Sequence, residues 1–125
     1  MTQLIKPRIL VVDDEVTMRR TVERMLRREF DITLACDGAE AFPLILAESF
    51  DYVLSDVDMP RMNGDELYEA VLAKDITKAD TIIFMTGGPS RPEAKKLLET
   101  IGFLRKPIDP IALRKALHVT TRLSG

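Results

Sequence analysis

The chain has 125 residues, 46% hydrophobic and 30% charged, with 20 acids against 18 Lys plus Arg and a formal net charge of -2. That length fits a single domain, residues 1 to 125, able to bury roughly two-thirds of its unfolded surface without a staple, and the near balance of charge excludes nucleic-acid or membrane binding driven by bulk charge. The lone Cys36 excludes an internal disulfide, and no window has the length of a membrane span or of a signal-peptide core, so the expected setting is a reducing cytoplasm.

In chain order, apolar runs of strand length alternate with helical patterns. Residues Arg8 to Val12 (RILVV) form the first expected strand. Met18, Val22, Met25 and Leu26 then fall on one face of a helix, with Arg19, Arg20, Arg27 and Arg28 expected on its solvated face. A second strand is expected at Ile32 to Ala35, with Cys36 as a small buried filler. Asp37 caps the next helix, which Pro43 should kink or shorten by deleting a hydrogen bond.

A third strand, Tyr52 to Ser55, runs into Asp56, and the turn DMPRMNG follows, with Met59 and Met62 as loop packing. Asn63 with Glu66, and Ser90 with Glu93, have the spacing of capping boxes. Between them a fourth strand is expected at Thr81 to Met85. A short fifth follows at Phe103-Leu104, and Asp109-Pro110 opens the last helix. Strands alternating with helices imply right-handed crossovers and a doubly wound parallel α/β sheet of five strands, covered on both faces.

In such a sheet ligands sit beyond the carboxyl ends of the strands. Asp13 and Asp14 follow the first strand, Asp56 the third and Thr86 the fourth, and Lys106 follows the fifth. Crowded carboxylates raise one another's proton affinity unless a cation neutralises them, and hard oxygen ligands with room for phosphate favour Mg²⁺. With Mg²⁺ and Lys106 offsetting the charge of a phosphoryl group, a carboxylate can attack phosphorus in line and form an acyl phosphate. Asp56 is the natural nucleophile.

The ordered set VVDD, SDVDMPRMNG, MTGG and FLRKP resembles the receiver domains of two-component response regulators over the whole chain. The resemblance implies a flavodoxin-like (CheY-like) sheet of order 2-1-3-4-5 flanked by five helices. It implies that Asp14 is a direct Mg²⁺ ligand, that Asp13 helps through water, that Asp56 is phosphoacceptor and second ligand, and that the main-chain carbonyl of Asp58 is the third. Thr86 would be the switch hydroxyl, Lys106 its ion-pairing partner, Phe103 the aromatic that turns inward, and Pro107 the holder of the following bend, through a cis peptide bond. The implied partners are a histidine kinase or phosphotransfer domain and a downstream protein target, with no direct contact to nucleic acid. The domain would catalyse only its own phosphorylation and dephosphorylation.

Several residues keep a plainer reading. Thr86 and Phe103 also suit a strand and a core, and the Asp58 side chain either faces solvent or tunes the phosphoryl group by its charge. His118, the sole histidine, is expected at the surface. The stretch from Thr86 to Lys106 is about two residues shorter than in many regulators and carries Gly87-Gly88-Pro89. This is similar to receivers at the C-terminus of hybrid sensor histidine kinases, puts a standard dimer through that face in doubt, and favours an excised hybrid-kinase receiver over a stand-alone regulator. Ile108 stands where an aromatic is frequent. Two rivals stand beside this reading. Haloacid-dehalogenase-like phosphatases share an Asp-x-Asp, a Thr and a Lys but place the Asp-x-Asp on their first strand, and a receiver-like interaction module would work without phosphate.

Overall fold

In the computed structural model, which describes residues 5–88 and 91–117, alternate side chains of the first strand point to opposite faces of one sheet. Strand β1 (Arg8–Val12) sends Leu10 and Val12 into one core and Ile9 and Val11 into the other, all four fully buried. A strand apolar on both faces requires cover on both. Helices α1 (Val16–Leu26) and α6 (Pro110–Ala116) bring Val22, Leu26 and Leu113 to the Ile9 side. Helices α2 (Gly38–Ala47), α3 (Gly64–Lys74) and α5 (Pro92–Ile101) bring Ile45, Leu67, Val71 and Leu98 to the Leu10 side. Each such aliphatic side chain contributes roughly 1.5–3 kcal/mol by leaving water.

The sheet is parallel throughout, in the order β2-β1-β3-β4-β5, with β2 at Asp31–Ala35, β3 at Tyr52–Asp56, β4 at Ile82–Thr86 and β5 at Phe103–Arg105. Five strands and their order agree with expectation, the bounds shifting by a residue so that Asp56 and Thr86 become the last residues of their strands. Val12 lies opposite both Ala35 and Ser55, Asp56 opposite Met85, and Thr86 opposite Arg105. The carboxyl ends therefore share one edge.

Among the described residues there are six helices rather than five. The addition is the one-turn α4 (Ile76–Ala79), nucleated by Asp75, whose carboxylate accepts from Thr77 N at 2.9 Å and Lys78 N at 3.3 Å. Asp37 caps α2 by accepting from Glu40 N at 2.9 Å, and α2 runs through Pro43 to Ala47 without ending there. Glu66 Oε1 accepts from Asn63 N at 2.9 Å, the return half of a capping box, and Asp109 caps α6 ahead of Pro110. Helix α5 starts one residue later than expected, with Arg91 in the cap position and Pro92 at its first turn; Ser90 lies outside the described residues, as does His118.

Candidate phosphoacceptor and metal site

Asp13 follows β1 directly and is fully buried, and it survives there because its lone pairs are used. Its Oδ1 accepts from Glu15 N at 2.9 Å, and its Oδ2 accepts from Lys106 Nζ at 2.9 Å. Lys106 Nζ also stands 3.3 Å from Asp56 Oδ1, which accepts from Val57 N at 2.9 Å. One ammonium from the end of β5 thus bridges carboxylates from the ends of β1 and β3. The Lys106–Pro107 peptide is cis.

Burial is the largest influence on Asp56 and the Asp13 charge adds to it; Lys106 and the Val57 amide oppose them only in part, and the carboxyl is pushed up to about 6. Burial works in the opposite sense on Lys106. There the hydrogen bond to Asp13 and the charges of Asp56 and Asp13 prevail, so its proton is held more firmly than usual.

Asp14 is exposed, and oxygen atoms of Asp13, Asp14 and Asp56 all lie within 4.8 Å of one another. Three carboxylates against one ammonium leave an excess of negative charge beside solvent. A divalent cation fits such a set of hard oxygen donors with one side open.

Thr86 is buried at the end of β4. Its hydroxyl accepts from Gly88 N at 3.0 Å, and its carbonyl accepts from Lys106 N at 2.9 Å. Phe103, at the start of β5, is half-buried against the Leu10-side core, with the Arg105 guanidinium carbon 5.7 Å from its ring centre. Met59 and Met62 pack on the same core, as expected of the loop after Asp56. Glycine is required at 64, because a Cβ there would come within 2.3 Å of Asp56 O and 3.1 Å of the Phe84 ring, while Gly64 N donates to Val57 O at 2.7 Å. The loop folds tightly back on the strand that carries Asp56.

Two expectations need correction. Cys36 is half-buried rather than a core filler, because it sits at the β2–α2 turn beside Asp37 and Arg61, with its Sγ 3.9 Å from Asp37 Oδ2. Arg19 is not simply solvated, since α1 turns it back to donate from Nη1 to Asp13 O at 2.7 Å. The Asp58 side chain, for which the sequence leaves both a solvent-facing and a charge-tuning reading open, is 40% exposed and its Oδ1 accepts from Arg91 Nε at 3.3 Å. Arg91, which the sequence marked only as part of a helix start, also forks onto Asp65 with contacts of 3.0 and 2.5 Å. Such pairing of residues 26 and 33 positions apart leaves no trace in periodicity or motif.

An acid pair after β1, an acid ending β3, a hydroxyl ending β4 and a lysine after β5, all on one edge of a 2-1-3-4-5 sheet, define a class of phosphate-responsive α/β modules. The family model described as the response regulator receiver domain matches residues 9–118, and the chain belongs to this family, the phosphoacceptor domains of two-component signalling. It is 31% identical over 123 residues to the chemotaxis protein CheY of Pseudomonas aeruginosa, covering 94% of this chain and 99% of that one. It is also 32% identical over 124 residues to the sensor histidine kinase TmoS of Ectopseudomonas mendocina, where it covers 96% of this chain but only 13% of the kinase. Among solved structures, the chemotaxis protein CheY4 of Vibrio cholerae superposes with a TM-score of 0.77 at 32% identity, covering 94% of this chain and all of that one. The receiver domain of a sensor histidine kinase of Pseudomonas aeruginosa, solved with a magnesium ion coordinated in its active site cleft, gives a TM-score of 0.79 at 24% identity, covering 91% of this chain and 96% of that one.

Proposed function

We propose that the chain is one receiver domain that takes a phosphoryl group from a kinase or phosphotransfer-domain phosphohistidine onto Asp56, in the cytoplasm, and loses it by hydrolysis. The carrying observation is Asp56 itself, a buried strand-ending carboxylate in contact with Lys106 and clustered with Asp13 and Asp14. Its Oδ1 is engaged by Val57 N and Lys106, which leaves Oδ2 as the attacking oxygen. That oxygen bonds to phosphorus as the phosphorus–nitrogen bond breaks, and the imidazole leaves with the electron pair and takes a proton. Water later attacks phosphorus, releasing inorganic phosphate and restoring the carboxylate.

Asp14, Asp56 and the Asp58 carbonyl are assigned as direct ligands of Mg²⁺, with Asp13 acting through water. When bound, the ion supplies charge compensation at the phosphoryl oxygens. Lys106 holds Asp56 in place and offsets charge in the transition state. Thr86 would exchange the Gly88 amide for a phosphoryl oxygen, with Phe103 turning inward, so that a local charge biases a two-state element. Pro107 keeps the chain bend that presents Lys106. A receiver within a hybrid kinase is the setting we propose; the match to 13% of TmoS is compatible with it, as the match to 99% of CheY is with a stand-alone regulator.

Intact mass after incubation with acetyl phosphate tests the assignment. The expected result is a Mg²⁺-dependent gain of one phosphoryl group in the wild type and none in Asp56→Asn; stoichiometric labelling of the variant would overturn it.

A further inference from the structure

Arg91 ties together three segments that meet at the phosphoacceptor edge. It occupies the cap position of α5, five residues beyond Thr86. Its Nη1 and Nη2 donate to the two carboxylate oxygens of Asp65 in the first turn of α3, at 3.0 and 2.5 Å, and its Nε donates to Asp58 Oδ1 at 3.3 Å. The Asp65 side chain is 12% exposed and that of Arg91 31%, so the fork is a partly desolvated pair held in planar geometry, not a mobile surface contact. Asp58, two residues past Asp56, is 40% exposed at its side chain and shares the same guanidinium.

Asp58 presents two different groups to this region. Its carbonyl is a proposed metal ligand, whereas its carboxylate, two residues beyond Asp56 and outside the Asp13, Asp14 and Asp56 cluster, adds negative charge to the same loop. We infer that Arg91 is a positioning residue that holds the Asp58 carboxylate on itself and offsets part of its charge, so that Asp58 lends the metal site its main-chain oxygen while its carboxylate is held on the guanidinium. The inference deepens the phosphoacceptor reading and rests on it. A site relieved of part of a charge binds a divalent cation less tightly and repels an anionic phosphodonor less, so Arg91 sets a balance between metal affinity and donor access.

Calorimetric titration of the purified protein with Mg²⁺ tests this. Removing Arg91 frees a charge screened by partial exposure, so Arg91→Ala is expected to tighten Mg²⁺ binding about three- to tenfold. In an Asp58→Asn background, where only the loss of the Arg91 charge itself remains, the same change is expected to have a clearly smaller effect. Arg91→Ala leaves Asp65 without its partner, so the comparison is repeated with Arg91→Ala/Asp65→Asn, which removes the buried charge. Equal Mg²⁺ affinity with and without Arg91, or an equal shift in both Asp58 backgrounds, overturns the inference while leaving the phosphoacceptor reading intact. A wild type that binds no Mg²⁺ overturns the metal assignment and this inference together.

Discussion

Lys106 Nζ lies between two acids 43 positions apart, 2.9 Å from Asp13 Oδ2 and 3.3 Å from Asp56 Oδ1, and is itself 18% exposed. The geometry makes it a structural counter-ion before any phosphoryl group arrives. Removing one partner of a buried pair costs more than the pair is worth, since the other charge stays buried. Lys106→Met should therefore destabilise the metal-free protein by about 3 kcal/mol at pH 7, measured by urea unfolding. The loss should shrink near pH 5, where Asp56 can carry a proton.

Asp56 gives a signed pH dependence. Its folded-state carboxyl, at about 6, exceeds the ordinary value of 3.8, so the native state binds the proton more tightly than the unfolded chain. Stability from this group is fully present below about pH 4 and is lost as pH rises through about 6, roughly 3 kcal/mol in all. Asp56→Asn should abolish that slope and raise the melting temperature of metal-free protein at pH 7. Mg²⁺ should raise the wild-type melting temperature in the same range by binding only the folded state, and Asp14→Ala should blunt that gain.

Gly64 is where the turn after Asp56 closes. A Cβ at that position would have to displace Asp56 O, Val57 Cα and the Phe84 ring. Gly64→Ala should destabilise by about 1–3 kcal/mol through overpacking, whereas Gly87→Ala, where among the described residues no atom beyond its chain neighbours lies within 4 Å of the added carbon, should stay within about 0.5 kcal/mol of wild type. Thermal unfolding of the two variants side by side checks the contrast.

Thr86 offers a separable prediction. Its hydroxyl accepts from Gly88 N at 3.0 Å and stands at the end of β4, one strand from Asp56. Thr86→Ala should still gain a phosphoryl group at Asp56 but should lose most of the amide chemical-shift change at Gly87 and Gly88 that the wild type shows on phosphorylation. Unchanged shifts in the variant would deny the hydroxyl its switching role.

The strands were legible because each is a short apolar run closed by a polar residue, and the caps at Asp37, Asn63 and Asp109 mark helix starts by local chemistry alone. The candidate site was legible for the same reason, since a parallel sheet brings strand ends to one edge and five polar residues sat at those ends. Interactions set by tertiary approach were not legible. Arg19 on Asp13 O, Arg91 across Asp58 and Asp65, and the half-exposed Cys36 depend on where a helix or turn lands, and neither period nor spacing encodes it. The one-turn α4 escaped because four residues carry too little pattern to distinguish a helix from a turn.

The most direct test of the central claim is to locate the phosphoryl group. Borohydride reduction after acetyl phosphate treatment converts an aspartyl phosphate to homoserine, which peptide mass spectrometry can place. Homoserine at position 56 alone, dependent on Mg²⁺, is the predicted result. Homoserine at another acid, or none although the protein binds Mg²⁺, would contradict it.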